Sequence, residues 1–528
     1  MNHFGNDTSN GEVLATENPF DMSSPLTRKQ FLRASLLGGA ASLIAVPAGL
    51  RAQSAASASR TSGSNSDIRV AVVGVRAQGA GHMRTYYKMP GARLVAICDA
   101  DADILQQRAA DAAKEGITVA TYLDYRALLE DSGVDAVVIA TPNHWHSLMT
   151  IWALEAGKDV YVEKPLSHNI WEGRQAVEAA RYYRKQIVQA GTQNRSSLDI
   201  RQAMDFIRSG QIGKITHVRG LCYKRRESIG RTQGPQAVPA SINYDLWTGP
   251  ADLVPPHRNG ARGPVHYDWH WFWNYGGGDI SNQGIHQVDV ARWFLGEDGL
   301  PRSVFCMGGR FGEADDAETP NTQISVFDYA AAPLIFEVRG LPMRTGMNAM
   351  DNYRGARVGV IVHCEGGYVH ISEAGNAAIY DAAGKKLASY TEGGLAGHRA
   401  NFIEAVRARD QSVARGHILN SHVSTNLCHL GNVSYLLGQE RSSPAVAEAI
   451  ANDALTKEAF GRTLDHLKAN SVDVGTTPVV LGPLLTIDAA GERIAGPTPE
   501  IAAKANANLL IKRTGRKGFT VPTYSGRV

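Results

Sequence analysis

The chain has 528 residues, a formal net charge of +3, 43% hydrophobic residues and 20% charged ones. That length exceeds one ordinary core, so two domains with extensions are expected; a small charge without long Lys/Arg blocks argues against a nucleic-acid surface. Five scattered cysteines with no CxxC pair argue against a disulfide framework and against a structural zinc site.

In chain order, residues 1–26 are polar. Thr27-Arg28-Lys29-Gln30-Phe31-Leu32-Arg33 then leads into an Ala/Leu/Gly run from Ala34 to Leu50, followed by a Ser/Ala tract to about residue 66. A basic stretch, a weakly apolar stretch and small residues are the parts of an export signal. The segment resembles a twin-arginine signal with Lys29 in the second arginine position, which predicts a periplasmic or extracytoplasmic protein. The alternative is a disordered cytoplasmic tail. Gly38, Gly39 and Pro47 make the run a poor membrane span.

Ile68–Val73 reads as a buried strand running into Gly74-Val75-Arg76-Ala77-Gln78-Gly79-Ala80-Gly81, with a helix expected from His82. A second strand, Arg93–Cys98, ends at Asp99. Strand, glycine turn, helix, strand and acidic residue is the order of a dinucleotide site. GxGxxG would place glycine at 76, where this chain has Arg76. Gly74, Gly79 and Gly81 are expected to bring backbone to the pyrophosphate, and Arg76 to touch phosphate. Asp99 reads as the acceptor for the adenosine ribose hydroxyls, as the cap of a helix over 101–114, or both. With Asp101 beside it, NAD is favoured over NADP; Arg76 is the counterargument.

The alternation continues through a strand at 134–139, a strand at Val160–Val162 and one at Ile187–Ala190, with helices between. It predicts a doubly wound parallel sheet over 67–192. The loops at the strands' carboxyl ends carry Thr141, Asn143 and His146, then Glu163-Lys164-Pro165, and are expected to share one cleft. Lys164 and His286 are the candidate proton-handling groups, because alcohol oxidation needs a base beside the hydride acceptor.

These residues resemble the Gfo/Idh/MocA oxidoreductase family over roughly 68–528. The resemblance rests on the glycine turn, Thr141-Pro142-Asn143-x-x-His146, Glu163-Lys164-Pro165 and Gly276-Gly277-Gly278 followed by Gly284-Ile285-His286-Gln287-Val288-Asp289. Cys222–Arg226, Tyr267–Trp273 and Phe519-Thr520-Val521-Pro522 resemble exported members from bacterial glycan-degrading groups. The resemblance implies an α/β chain, with the Rossmann domain followed by a substrate and oligomerisation domain at 193–528 built on a large, mostly antiparallel open sheet. It also implies a homodimer or homotetramer, a Lys164 that contacts substrate hydroxyl and nicotinamide ribose, and a substrate cleft lined by Tyr223 and Arg225.

Asn282 stands where many members carry aspartate; it can hydrogen-bond a sugar but is no base. Asp289 reads as an orienter of His286 or as an ion-pair partner of Arg292. Trp271, in an aromatic-dense run, reads as a sugar platform or as core. No His/Cys spacing demands a metal. The leading expectation is an NAD-dependent dehydrogenase of a sugar, glycoside or polyol. Its competitors are a redox-neutral glycoside-cleaving or isomerising enzyme with tightly bound NAD, and a non-catalytic sugar-binding protein.

Overall fold

The computed structural model describes residues 67–257, 265–395 and 397–526. The export-like segment and its linker, residues 1–66, lie outside them. Six apolar runs pair in parallel: β1 (Ile68–Val73), β2 (Ala92–Cys98), β3 (Ala120–Tyr122), β4 (Ala136–Ile139), β5 (Asp159–Val162) and β6 (Val188–Ala190). Their order, β3-β2-β1-β4-β5-β6, puts the topological switch point between β1 and β4. Every residue of β4 and β5 is buried, as expected for parallel strands covered on both faces. Helices Gln78–Tyr86, Ala102–Lys114, His146–Glu155 and Ile170–Tyr182 are among the connections. Asp101 caps the second and Asn169 the fourth through side-chain acceptors for Asp103 and Glu172 N–H.

The second sheet has twelve strands and is antiparallel except where β7 (Ile215–Tyr223) pairs in parallel with β10 (Leu334–Arg339). Its central ladder continues through β8 (Ser303–Gly309), β9 (Thr322–Asp328), β11 (Val358–Cys364) and β12 (Gly367–Ser372). Along β7, Val218 and Cys222 join the large core with Ile285 and Val288 of helix Gly284–Leu295 and Leu427 of helix Ile418–Leu436. Leu221 and Tyr223 join a different cluster with Ile361. This period-two parity decides which β7 side chains can reach the helix that carries His286. On the other face, Met307, Ile324, Val326 and Ile335 pack against Val446, Phe460 and Leu467 of helices Ser443–Ala449 and Ala454–Ala469. The chain's own helices therefore cover that part of the sheet.

The Rossmann core is completed from outside 67–192. Phe402, Ile403 and Val406 of helix His398–Ala408 pack with Val70, Ile97 and Tyr161. The carboxyl-terminal segment also returns, with Arg513 on Glu172 at 2.7 Å and the Tyr524 hydroxyl on Glu155 at 2.6 Å. No helix among the described residues is long and apolar enough to cross a membrane.

Candidate active site

A cleft of about 650 Å³ opens at the carboxyl ends of the parallel strands. Gly74, Arg76, Asp99, Thr141, Asn143, His146, Glu163, Lys164, Asn282 and His286 all line it. These ten residues come from four strand ends and the helix pair 278–295, and the fold brings them together as the switch-point geometry requires.

At the β1 turn, Gly74 has φ +79, and a Cβ there would lie 2.7 Å from the Ala140 carbonyl oxygen. Helix Gln78–Tyr86 starts four residues earlier than the glycine spacing predicts, and no side chain caps it. The first N–H groups of a helix have no intrahelical acceptor, so an uncapped end beside this turn suits a pyrophosphate. The earlier start corrects two expectations. Gly79 lies inside the helix, packed so tightly that a Cβ would sit 1.9 Å from the Gly74 carbonyl oxygen. Gly81 is also helical, with nothing closer than 3.9 Å to a Cβ. Neither lines the cleft; Gly79 serves close helix–strand packing.

Asp99 accepts from Val75 N–H at 2.8 Å and from Asp101 N–H at 3.1 Å. Burial pushes its carboxyl up to about 6, against the pull of those two donors. A ribose hydroxyl is the further donor such a carboxylate lacks. The helix cap is Asp101, not Asp99. The cradle at Gly74, the uncapped helix end and Asp99 fit a dinucleotide with unphosphorylated ribose.

At the end of β5, Glu163 accepts from His82 Nε2 and Gln78 Nε2, each at 2.9 Å. Burial works to raise its carboxyl, but these bonds and the neighbouring charges outweigh it and hold Glu163 well below the usual carboxylate range. His82 is lowered by burial despite Glu163, so a neutral ring donates to a carboxylate. The Lys164–Pro165 peptide is cis. Lys164 Nζ donates to the Asn282 carbonyl at 2.8 Å, joining the two domains. Burial lowers the Lys164 ammonium, and Arg226 and Lys224 add to this against Glu163 and Asp279. Burial, then Lys164, pushes His286 down to about 3. His146 ring nitrogens lie 2.6 Å from the Pro165 carbonyl and 2.8 Å from that of Thr141, pinning the β4 and β5 loops together.

Four expected substrate residues do not reach the cleft. Tyr223 is on the wrong parity of β7 and donates to Glu337 at 2.6 Å on the opposite sheet face. Arg225 is exposed, 3.5 Å from the Met347 carbonyl. Trp271 is buried in an apolar cluster with Trp247 and Tyr275. Asp289 forms a two-bond pair with Arg195, both at 2.8 Å, and accepts from Ser424 at 2.7 Å; its partner is not Arg292. In their place, Trp269 and His270, stacked at 3.6 Å, line the cleft with His266 and Tyr267. The aromatic density of 267–273 was the available signal, but not which ring faces in. Gln78 and His82, which hold Glu163, left no signal beyond their place after the glycine turn.

The model of the NAD-binding Rossmann fold of an oxidoreductase family (GFO_IDH_MocA) matches residues 68–192, and that of its C-terminal alpha/beta domain matches 200–317. Inositol 2-dehydrogenase 1 of Saccharopolyspora erythraea is 39% identical over 150 residues, 28% of this chain and 43% of that protein. A glycosyl hydrolase family 109 protein of a Shewanella species is 30% identical over 155 residues, 28% of this chain and 34% of that protein. The chain thus spans about a third to a half of the curated relatives it matches. Levoglucosan dehydrogenase, solved with NADH and levoglucosan, shares the fold at a TM-score of 0.52 and 17% identity, covering 69% of this chain and 96% of that one. The WlbA dehydrogenase of Bordetella pertussis, solved with NADH and UDP-GlcNAcA, does so at 0.50 and 20%, covering 68% and 94%. The matched glycine turn, strand ends and second domain place the chain in the Gfo/Idh/MocA oxidoreductase family, with an NAD-binding Rossmann domain.

Proposed function

We propose that the protein is an NAD-dependent dehydrogenase that oxidises a ring hydroxyl of a sugar, glycoside or polyol, or reduces the corresponding ketone. The observation that carries this is Lys164, an amine with a lowered pKa, facing the same cleft as His286 and the dinucleotide turn. NAD, when bound, supplies the hydride acceptor. Lys164 takes the hydroxyl proton, and the Asn282 carbonyl aims its Nζ. His286 is neutral and donates its ring N–H to the oxygen of the same hydroxyl, which orients it. Glu163 does not serve as the base, because it stays ionised with its oxygen committed to His82 and Gln78. Trp269 offers an aromatic wall for the apolar face of a pyranose.

The test is a screen of polyols, free sugars and glycosides, following reduction of NAD by absorbance in single turnover at one equivalent per chain and identifying the ketone formed. A product with no ketone under any donor counts against the reading. A second reading, bond cleavage with the hydride returned, is favoured by the family 109 relative. It predicts a released aglycone without net NADH. The basic and apolar pattern at 27–50 supports action outside the cytoplasm on this proposal.

The pH dependence follows from the two shifts. Oxidation needs unprotonated Lys164, so the rate climbs as pH rises toward the lowered pKa of that amine. With His286 down at about 3, no inflection appears at the ordinary histidine pKa. A rate profile from about pH 5 to 9 checks this, and a break near pH 6.5 would reassign the base to histidine.

A further inference from the structure

The cleft has a wall that the Rossmann fold does not supply. Between β7 and β8, residues 241–257 and 265–275 cross over the ends of the parallel strands. On the β2 side, Ala102 N–H donates to Ser241 at 2.9 Å and Asn243 N–H donates to Ala100 at 2.8 Å. His266 Nε2 lies 3.1 Å from the Asp101 carboxylate on that side. On the β4 side, Trp145 Nε1 donates to the Leu246 and Trp247 carbonyls at 3.1 and 3.0 Å. His144 Nε2 donates to the same Trp247 carbonyl at 3.0 Å. The carboxyl-terminal segment clamps this end, with Arg516 donating to the Gly249 and Asp245 carbonyls, each at 2.8 Å. The crossing segment has an apolar core of its own: Ile242, Trp247, Ala251, Val265, Trp271, Phe272 and Tyr275.

In an open doubly wound sheet, the adenosine end of a dinucleotide lies between the ends of β2 and β4 and faces solvent. Here those two ends are bridged. Leu246, Trp247 and His266 of the bridge line the same cleft as Asp99, Leu123 and Asn143. We propose that this strap is the second half of the NAD site: it closes the adenosine end and holds the dinucleotide from one turnover to the next. Release then requires both anchors to open, whereas substrate enters beside Lys164 and His286.

Retention itself rests on the NAD fold and not on which sugar is oxidised.

The experiment reads nucleotide, not turnover. The protein is purified without added NAD, desalted and denatured, and released nucleotide is counted per chain. Exchange against isotopically labelled NAD is then timed for the wild type, for His266→Ala, and for His266→Ala with Arg516→Ala. Near one nucleotide per chain is expected, exchanging over hours, with the double variant exchanging at least about tenfold faster. A chain that purifies empty and exchanges NAD within seconds overturns the proposal. So does an unchanged exchange rate in both variants. Failure of the sugar screen leaves these readouts intact, so the two readings fail separately.

Discussion

Lys164→Ala is expected to lower hydride transfer by about a thousandfold or more, the range of a lost general base, while the protein still folds and still holds NAD. The Lys164 side chain makes one direct bond, to the Asn282 carbonyl, and its charge is disfavoured by burial, so removing it does not leave a buried ion without a partner. Glu163 keeps its bonds to His82 and Gln78 in the variant, so the β5 end stays in place. Lys164→Arg is expected to be as inactive, because guanidinium does not give up its proton in this pH range. Single-turnover reduction of bound NAD, with nucleotide content measured alongside, separates lost chemistry from lost cofactor. Wild-type rates in the alanine variant would remove Lys164 from the mechanism.

The parts of this site that were legible in sequence are those written locally. An apolar run that stops at a polar cluster marks a strand's carboxyl end, and the ends at Asp99, Thr141 and Glu163-Lys164 all meet in the cleft. Parity and non-local partners were not legible. Tyr223 and Lys224 are neighbours in sequence, yet strand alternation sends Tyr223 to Glu337 and lets Lys224 reach Gln283 at 2.8 Å. Gly79 and Gly81 look like turn glycines until the helix is seen to begin at Gln78. The strap is held by partners more than a hundred residues away, as with Trp145 on Trp247, and no periodicity encodes such pairs. The antiparallel strands Ala377–Asp381 and Lys386–Tyr390, and the long helix Ile418–Leu436, also went unpredicted. That helix is buried along most of its length, so it lacks the polar face that marks an amphipathic helix.

Asp289 shows how the two kinds of information differ in consequence. It sits three residues after His286, and spacing alone makes it a candidate for orienting that ring. In the fold it is 1% exposed, and both its oxygens bind Arg195, itself 8% exposed, at the end of the β6 loop. Burial would raise its carboxyl, but Arg195, Arg292 and Ser424 hold it below the usual range. Asp289→Ala therefore strands the Arg195 guanidinium in the interior, where the compensation among the described residues is the Trp293 ring face at 4.7 Å. Loss of one partner of a buried pair costs about 3–5 kcal/mol, so a clear drop in the denaturant midpoint is expected. Among the molecules that remain folded, the nucleotide content should hold, since Asp289 does not line the cleft. The double variant Asp289→Ala with Arg195→Met should recover much of the stability, because it removes the stranded charge along with its partner. If instead Asp289→Ala keeps wild-type stability but loses hydride transfer, the residue acts on His286 and the ion pair is incidental.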